Sequence, residues 1–397
     1  MIGYADRLDR LPPYIFADLE RLQEEQTRKG IDMISLGIGD PDFPTPSVVT
    51  ETLREELQVL GSNNYSSSAG EDCFRRAVAD WYKTRFNVQL NPDKEVCTLI
   101  GSKEGLANIG RVFVNPGDRT LLPDPSYPVY AQGSTILSDA TPATFRLEAE
   151  TGFQPDFPGM NADSKTRLLF LNYPNNPTGA VATEETLRKT VEFCRQHNLL
   201  LCYDNAYSEV CLGNYQAPSA LQFDIVKEHT VEFNSCSKML NMTGYRVGFA
   251  VGNQKAIAGL KKIKSQIDSG VPKFIQKAAA SALKRYFDSD LSQELRKNND
   301  TLLERFNSLV RGLRKIGLEA TIPRATFYLW VNVGMNGVAF AKELLKLGVV
   351  ATPGSAFGQT GNNYVRFSIT QSTDRIAEAA LRMEKLDLHH MRLHPSC

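Results

Sequence analysis

One lysine keeps unusual company for a surface residue. Ser235-Cys236-Ser237-Lys238 follows a short apolar run, and Thr243-Gly244-Tyr245-Arg246 comes soon after. A lysine amine acts as a base near neutral pH only where burial or a neighbouring cation disfavours the ammonium. A capped turn with a solvated lysine would leave the same local pattern. Asp204 ends the run Leu199–Tyr203 and has Tyr207 three residues on. A carboxylate there either serves a site or caps the next turn. Asn175-Asn176-Pro177-Thr178-Gly179 reads as a turn by composition. Gly101-Ser102-Lys103-Glu104-Gly105 opens a helix, so its backbone N–H groups face forward in a way that suits a phosphate. It is not a Walker loop, and no GxGxxG occurs, which removes the dinucleotide-binding reading. Each feature taken singly has a bland structural explanation. Their common position, beyond the ends of apolar runs, is what asks for another.

Those runs are the elements that must position the chemistry. Candidate strands are Val96–Ile100, Arg119–Pro123, Arg167–Leu171, Leu199–Tyr203, Thr230–Phe233 and Val247–Val251. Between them lie helical patterns such as Glu104–Val114 and Glu184–His197. Alternation of strand and helix predicts an α/β fold with a mostly parallel, doubly wound sheet. Several strands are largely apolar, as expected when both faces are buried. After about Lys255 the pattern changes to long helices, Ile257–Tyr286 and Leu291–Ile316. A smaller α+β unit follows: strand Thr326–Val333, helix Val338–Leu347, strands near Val349 and Tyr364, and helix Asp374–Lys385. The expected division is an N-terminal arm joining the small domain (1–45), a large domain (46–285) and a small C-terminal domain (286–397). In open α/β sheets, ligands sit beyond the carboxyl ends of the strands.

The 397 residues suffice for a large and a small domain, and 42% hydrophobic with 23% charged residues is the balance of a soluble globular chain. A formal net charge of zero gives no basic field for nucleic acid or an anionic membrane. No apolar stretch has the length of a membrane span. The start lacks a signal-peptide pattern, so cytoplasm is the expected location. Seven cysteines, odd in number and without a CxxC pair, read as free thiols of a reducing compartment. No metal site is expected; His390 and His394, four apart in the tail, read as a frayed terminus.

The motifs occur in an order that resembles the fold-type-I pyridoxal-phosphate (PLP) aminotransferases over nearly the whole chain. The matching segments run from Ser35-Leu36-Gly37-Ile38-Gly39-Asp40-Pro41-Asp42 to Tyr364-Val365-Arg366-Phe367-Ser368. Between them come Tyr65 through Gly70, Asp124-Pro125-Ser126-Tyr127-Pro128, Asn176-Pro177-Thr178-Gly179, Asp204 with Tyr207, and Ser235-x-Ser-Lys238 with Arg246 eight beyond. The resemblance implies that Lys238 holds the cofactor's aldehyde and then carries a proton from the substrate Cα. It implies that Asp204 pairs with the ring nitrogen, that Asn176 and Tyr207 bond the ring's 3′ oxygen, and that Tyr127 lies on the ring face. The phosphate would take the Ser102 and Lys103 amides, the Ser235 and Ser237 hydroxyls and Arg246. Tyr65 resembles a tyrosine lent to the neighbouring subunit's phosphate, which implies a homodimer with shared sites. Arg366 would clamp the substrate α-carboxylate with a bidentate fork, beside Gly39, and Tyr14 would belong to an arm covering the substrate.

The same cofactor site serves transaminases, C–S lyases and other PLP enzymes, and fold analogy alone favours transamination. A PLP-fold regulator is disfavoured by the complete residue set. Closest in wording are the LL-diaminopimelate aminotransferases of lysine biosynthesis, through Leu11-Pro12-Pro13-Tyr14-Ile15-Phe16, Asn241-Met242-Thr243-Gly244 and Asp268-Ser269-Gly270. That resemblance implies LL-diaminopimelate as amino donor and 2-oxoglutarate as acceptor. Its far aminocarboxylate would meet Lys103, Glu104, Ser62-Asn63-Asn64 or the segment Gln266–Lys273. Val271-Pro272-Lys273-Phe274 departs from the family's pattern for that far end, so alanine or aspartate transamination and a C–S lyase stay as alternatives.

Overall fold

In the computed structural model, residues 2–12 and 15–388 are described, with backbone alone for 15–20. The strands in chain order are β1 (Ile34–Ser35), β2 (Val96–Leu99), β3 (Arg119–Asp124), β4 (Thr141–Arg146), β5 (Thr166–Asn172) and β6 (Leu200–Asp204). They continue with β7 (Thr230–Ser235), β8 (Gly248–Gly252), β9 (Tyr328–Asn332), β10 (Val349–Val350), β11 (Thr352–Pro353) and β12 (Tyr364–Ser368). Seven of them form one sheet in the order β2-β8-β7-β6-β5-β3-β4. Only β8 runs against its neighbours, so the expected mostly parallel sheet is the one found. β6 and β7 are buried along their whole length, which explains their apolar composition.

Helices cover the sheet and are cut to length by local chemistry. Thr183 caps the helix Glu184–His197 by accepting from the Thr186 N–H, and Asn198 ends it in the left-handed region at φ 53°. The helix Ser102–Phe113 starts at Gly101, whose φ of 74° lets the chain turn sharply off the end of β2. The expected single helix Ile257–Tyr286 is instead two, Gln254–Lys264 and Lys273–Lys284. Gly270 at φ 84° and Pro272 force the break between them. The edge strand β4 went unread because its residues are mostly exposed or half-buried and give no apolar run.

A second, three-stranded sheet has the order β11-β12-β9, and β1 pairs in parallel with β10. One core cluster joins Ile34 and Leu36 to Phe306, Leu309, Phe340, Val365 and Phe367. Strand registers then bring the carboxyl ends of the large sheet level: Asn172 of β5 faces Asp204 of β6, which faces Phe233 of β7. Asn172 Nδ2 donates to the Asp204 carbonyl at 2.7 Å and locks that register. No helix of the described residues is long and apolar enough to cross a membrane.

Candidate active site

A cavity of about 330 Å³ opens where those strand ends meet β9 and β12 of the smaller sheet. Gly39, Ser102, Lys103, Tyr127, Asn176 and Asp204 line it. So do Tyr207, Ser235, Ser237, Lys238, Arg246 and Arg366. Tyr65 does not: it lies outside, with 86% of its surface exposed. Tyr14, like His390 and His394, lies outside the described residues.

Lys238 sits in a single helical turn, Cys236–Met239, directly after β7. Ser235 begins that turn by accepting from the Ser237 N–H. Half-buried, the Lys238 Nζ donates to the Gly39 carbonyl at 2.9 Å. Burial pulls its ammonium down to about 8, Asp40 pushes the other way, and Arg246 and Arg366 add to the lowering. Asp204 is buried, and desolvation lifts its carboxyl to about 6 against the bonds from the Tyr130 hydroxyl (2.7 Å) and the Ala206 N–H (3.3 Å).

Gly101 and Arg246 shape the anion end. A Cβ on Gly101 would fall 2.3 Å from an Arg246 nitrogen, and one on Gly248 would fall 2.9 Å from the Ser102 amide. Arg246 itself holds a left-handed backbone at φ 53°, a conformation costing roughly 1 kcal/mol or more that persists where the surroundings enforce it. Its Nη1 donates to the Thr243 carbonyl at 2.8 Å and leans on the Ser237 hydroxyl at 3.5 Å. At the opposite wall Arg366, 2% exposed, lies between Tyr328 (4.2 Å to the ring centre) and Phe357 (4.6 Å). Its two terminal nitrogens donate to Asn176 Oδ1 (2.8 Å) and to the Gly37 carbonyl (2.6 Å). Gly39 admits no side chain, because its Cβ would overlap the Tyr328 hydroxyl at 2.1 Å, which in turn bonds the Tyr207 hydroxyl at 3.1 Å.

Other candidates lie apart from this cavity. Glu104 turns from the cavity: its carboxylate accepts from Asn108 (2.6 Å), from the Ile100 N–H (3.2 Å) and from the buried Lys264 ammonium (2.9 Å). Ser62 donates to Glu56 at 2.6 Å, and neither 62–64 nor 266–273 lines the cavity of one chain. Tyr130 and Tyr328 escaped the sequence reading, since each meets its partner across more than 70 residues of chain and no local pattern marks it.

The site therefore combines an amine with lowered pKa, a buried carboxylate, a glycine-lined anion cradle with an arginine, and a second buried arginine. These residues suit PLP: aldehyde to amine, ring nitrogen to carboxylate, phosphate to cradle. The aminotransferase class I and II family matches residues 31–383, and the chain belongs to that family. It is an aminotransferase dependent on pyridoxal 5′-phosphate. Proteins of Aquifex aeolicus and Desulforudis audaxviator, both named LL-diaminopimelate aminotransferase, are similar to it. The first is 44% identical over 98% of this chain and 100% of its own, and the second 45% identical over 96% of each. Among solved structures, the aspartate aminotransferase of Thermus thermophilus with maleate superposes at a TM-score of 0.89, with 26% identity over 97% of this chain and 100% of that one. A probable N-succinyldiaminopimelate aminotransferase of the same organism superposes at 0.86, with 31% identity over 94% and 99%.

Proposed function

We propose that the enzyme moves the amino group of LL-diaminopimelate to 2-oxoglutarate, as a cytoplasmic homodimer in lysine biosynthesis. The observation that carries the donor is similarity at 44 and 45% identity, end to end, to relatives named for that substrate. Alanine and aspartate stand as the alternative donors.

When bound, PLP supplies an aldehyde that joins to amines and a ring that draws electrons from the substrate's Cα–H bond. Lys238 supplies the amine, and with a pKa near 8 a useful fraction is neutral at working pH and takes the Cα proton. Asp204 is charged above about pH 6 and holds the proton on the ring nitrogen. Tyr207 and the Asn176 amide nitrogen would donate to the 3′ oxygen, leaving the Asn176 oxygen on Arg366, where it accepts at 2.8 Å. Tyr127 covers the ring face. The Ser102 and Lys103 amides, Ser235, Ser237 and Arg246 take the phosphate. Arg366, with Gly39 beside it, takes the α-carboxylate. The division at residues 45 and 285 is part of this reading.

The dimer reading is supported by exposed apolar side chains: Leu57, Val59, Leu60, Tyr65 and Ile267 are all strongly exposed on one chain. The six described cysteines are free, which fits a reducing compartment. The deciding experiment mixes the PLP-loaded enzyme, without acceptor, with LL-diaminopimelate, glutamate, alanine or aspartate. Conversion of the cofactor's absorbance to that of the aminated form by LL-diaminopimelate and glutamate, and much more slowly by the others, is expected. Equal or faster conversion by alanine or aspartate would replace the proposed donor.

A further inference from the structure

The segment 37–43 has no strand partner along most of its length, yet it carries two of the site's acceptors. The Gly37 carbonyl holds Arg366 and the Gly39 carbonyl holds Lys238. At its start it is fixed by sheet-like bonds: the Leu36 N–H donates to the Val350 carbonyl at 2.8 Å, and the Ser368 N–H to the Leu36 carbonyl at 2.6 Å. At its end it is fixed by a side chain from far away. Arg305, on the helix Ser289–Lys315 and with its side chain 5% exposed, grips both oxygens of Asp42 at 2.7 and 2.8 Å. The same guanidinium donates to the Ile369 carbonyl at 3.2 Å and lies 4.8 Å from the centre of the Phe43 ring. Ile369 directly follows β12, the strand that carries Arg366.

A two-bond fork fixes both distance and orientation, which a lysine ammonium cannot do. We propose that Arg305 is a positioning residue for transamination: through Asp42 and Ile369 it holds the 37–43 segment against β12, so that Lys238 and Arg366 keep their spacing. It touches neither substrate nor cofactor. The inference rests on the reading of Arg366 as the carboxylate clamp.

The test uses the PLP-loaded enzyme, assayed well below the lowest melting temperature of the series. Arg305→Lys and Asp42→Asn are compared with Leu309→Ala, a buried position one turn along the same helix, and with Arg366→Ala. Arg305→Lys and Asp42→Asn are expected to raise KM for both amino donor and 2-oxo acid about tenfold, since both substrates present a carboxylate to the same fork. They should keep the absorbance of the Lys238-bound cofactor. Leu309→Ala should lower the melting temperature at least as much and leave KM alone. Unchanged KM in Arg305→Lys and Asp42→Asn, or a KM rise in Leu309→Ala matching theirs, overturns the positioning role. Arg366→Ala must raise KM more than any of them. If it does not, the clamp reading fails and takes this proposal with it; if it does while Arg305→Lys stays at parental KM, the positioning role alone is lost.

Discussion

The two ends of the active site are built in different ways. At the cofactor end, side chains hang from the carboxyl ends of β5, β6 and β7, whose register is fixed by backbone pairing and by Asn172. The buried Asp204 and Arg366 find their partners inside the one chain. The end proposed to select the substrate is made of loops, 59–70 and 265–272, which do not line the cavity of one chain. Those loops are tied firmly to one another: the buried Gln276 accepts from the Glu71 N–H (2.7 Å) and donates to Ser66 (2.9 Å) and to the Val271 carbonyl (2.7 Å). Val271 is buried, but Leu60, Tyr65 and Ile267 nevertheless face outward. The chemistry belongs to the sheet, and on the dimer reading the choice of substrate belongs to loops that a second copy completes.

The largest effect should come from Lys238→Ala. Loss of the amine assigned to the aldehyde and the Cα proton should cut kcat by about 10⁴-fold or more, since removing a covalent base forfeits both roles at once. The fold should remain, because Lys238 makes a single hydrogen bond in the described site. Measurement of the cofactor's absorbance, single-turnover rates and circular dichroism checks this. A variant that keeps the borohydride-reducible link and normal turnover would break the assignment of the whole cofactor end.

Asp204→Asn separates function from stability. With its ionisation raised from 3.8 to about 6, the carboxylate is held neutral in the folded state where the unfolded chain would already be charged. The penalty grows as pH rises from about 4 to about 6 and is constant above, at about 3 kcal/mol from 1.36 kcal/mol per unit. Cofactor-free Asp204→Asn should therefore unfold at higher denaturant concentration than the parent above pH 6, with the difference vanishing below pH 4. Turnover of the loaded variant should fall by about 10³-fold, because a neutral amide cannot hold the ring-nitrogen proton. Equal stability at pH 8 would show that Asp204 is not strained by burial; normal turnover would remove it from the mechanism.

How much of this was legible depended on whether a residue's partner lay nearby in sequence. Ser235, Ser237, Lys238 and Arg246 fall within twelve residues, and Gly101 with Ser102 marks a helix start, so strand-end position and turn chemistry pointed to them. The break at 265–272 also left its signals, Gly270 and Pro272, which the helical periodicity on both sides masked. Glu104 misled because a carboxylate in a helix's first turn looks available, whereas Lys264, 160 residues on, neutralises it. Asp42 and Arg305, 263 residues apart, carry no local mark of their pairing. Burial and long-range pairing decide such cases, and a linear pattern records neither.

Arg366→Lys probes the wall between the two ends. A lysine keeps the charge but loses the fork that spans Asn176 and the Gly37 carbonyl, and should raise KM for every α-amino acid about a hundredfold while sparing cofactor binding. Unchanged KM in titrations with glutamate would move the carboxylate site elsewhere.

The smallest effect, and the one that tests the comparison most directly, belongs to Tyr65→Phe. Removing one hydroxyl from the phosphate's donors should weaken PLP binding by about tenfold, or ~1.4 kcal/mol, near the low end of what a hydrogen bond to a charged group contributes. A tyrosine that does not line its own chain's cavity should have that effect by entering another chain's site. Mixing Tyr65→Phe with Lys238→Ala subunits makes the point quantitative, because the mixed dimer holds one active lysine facing a normal Tyr65 from its partner. Parental affinity in that one site, read by cofactor titration of the mixture, supports loops completed by a second copy. Weak binding in the mixed dimer would place Tyr65 in the service of its own chain, and both ends of the site would then belong to a single subunit.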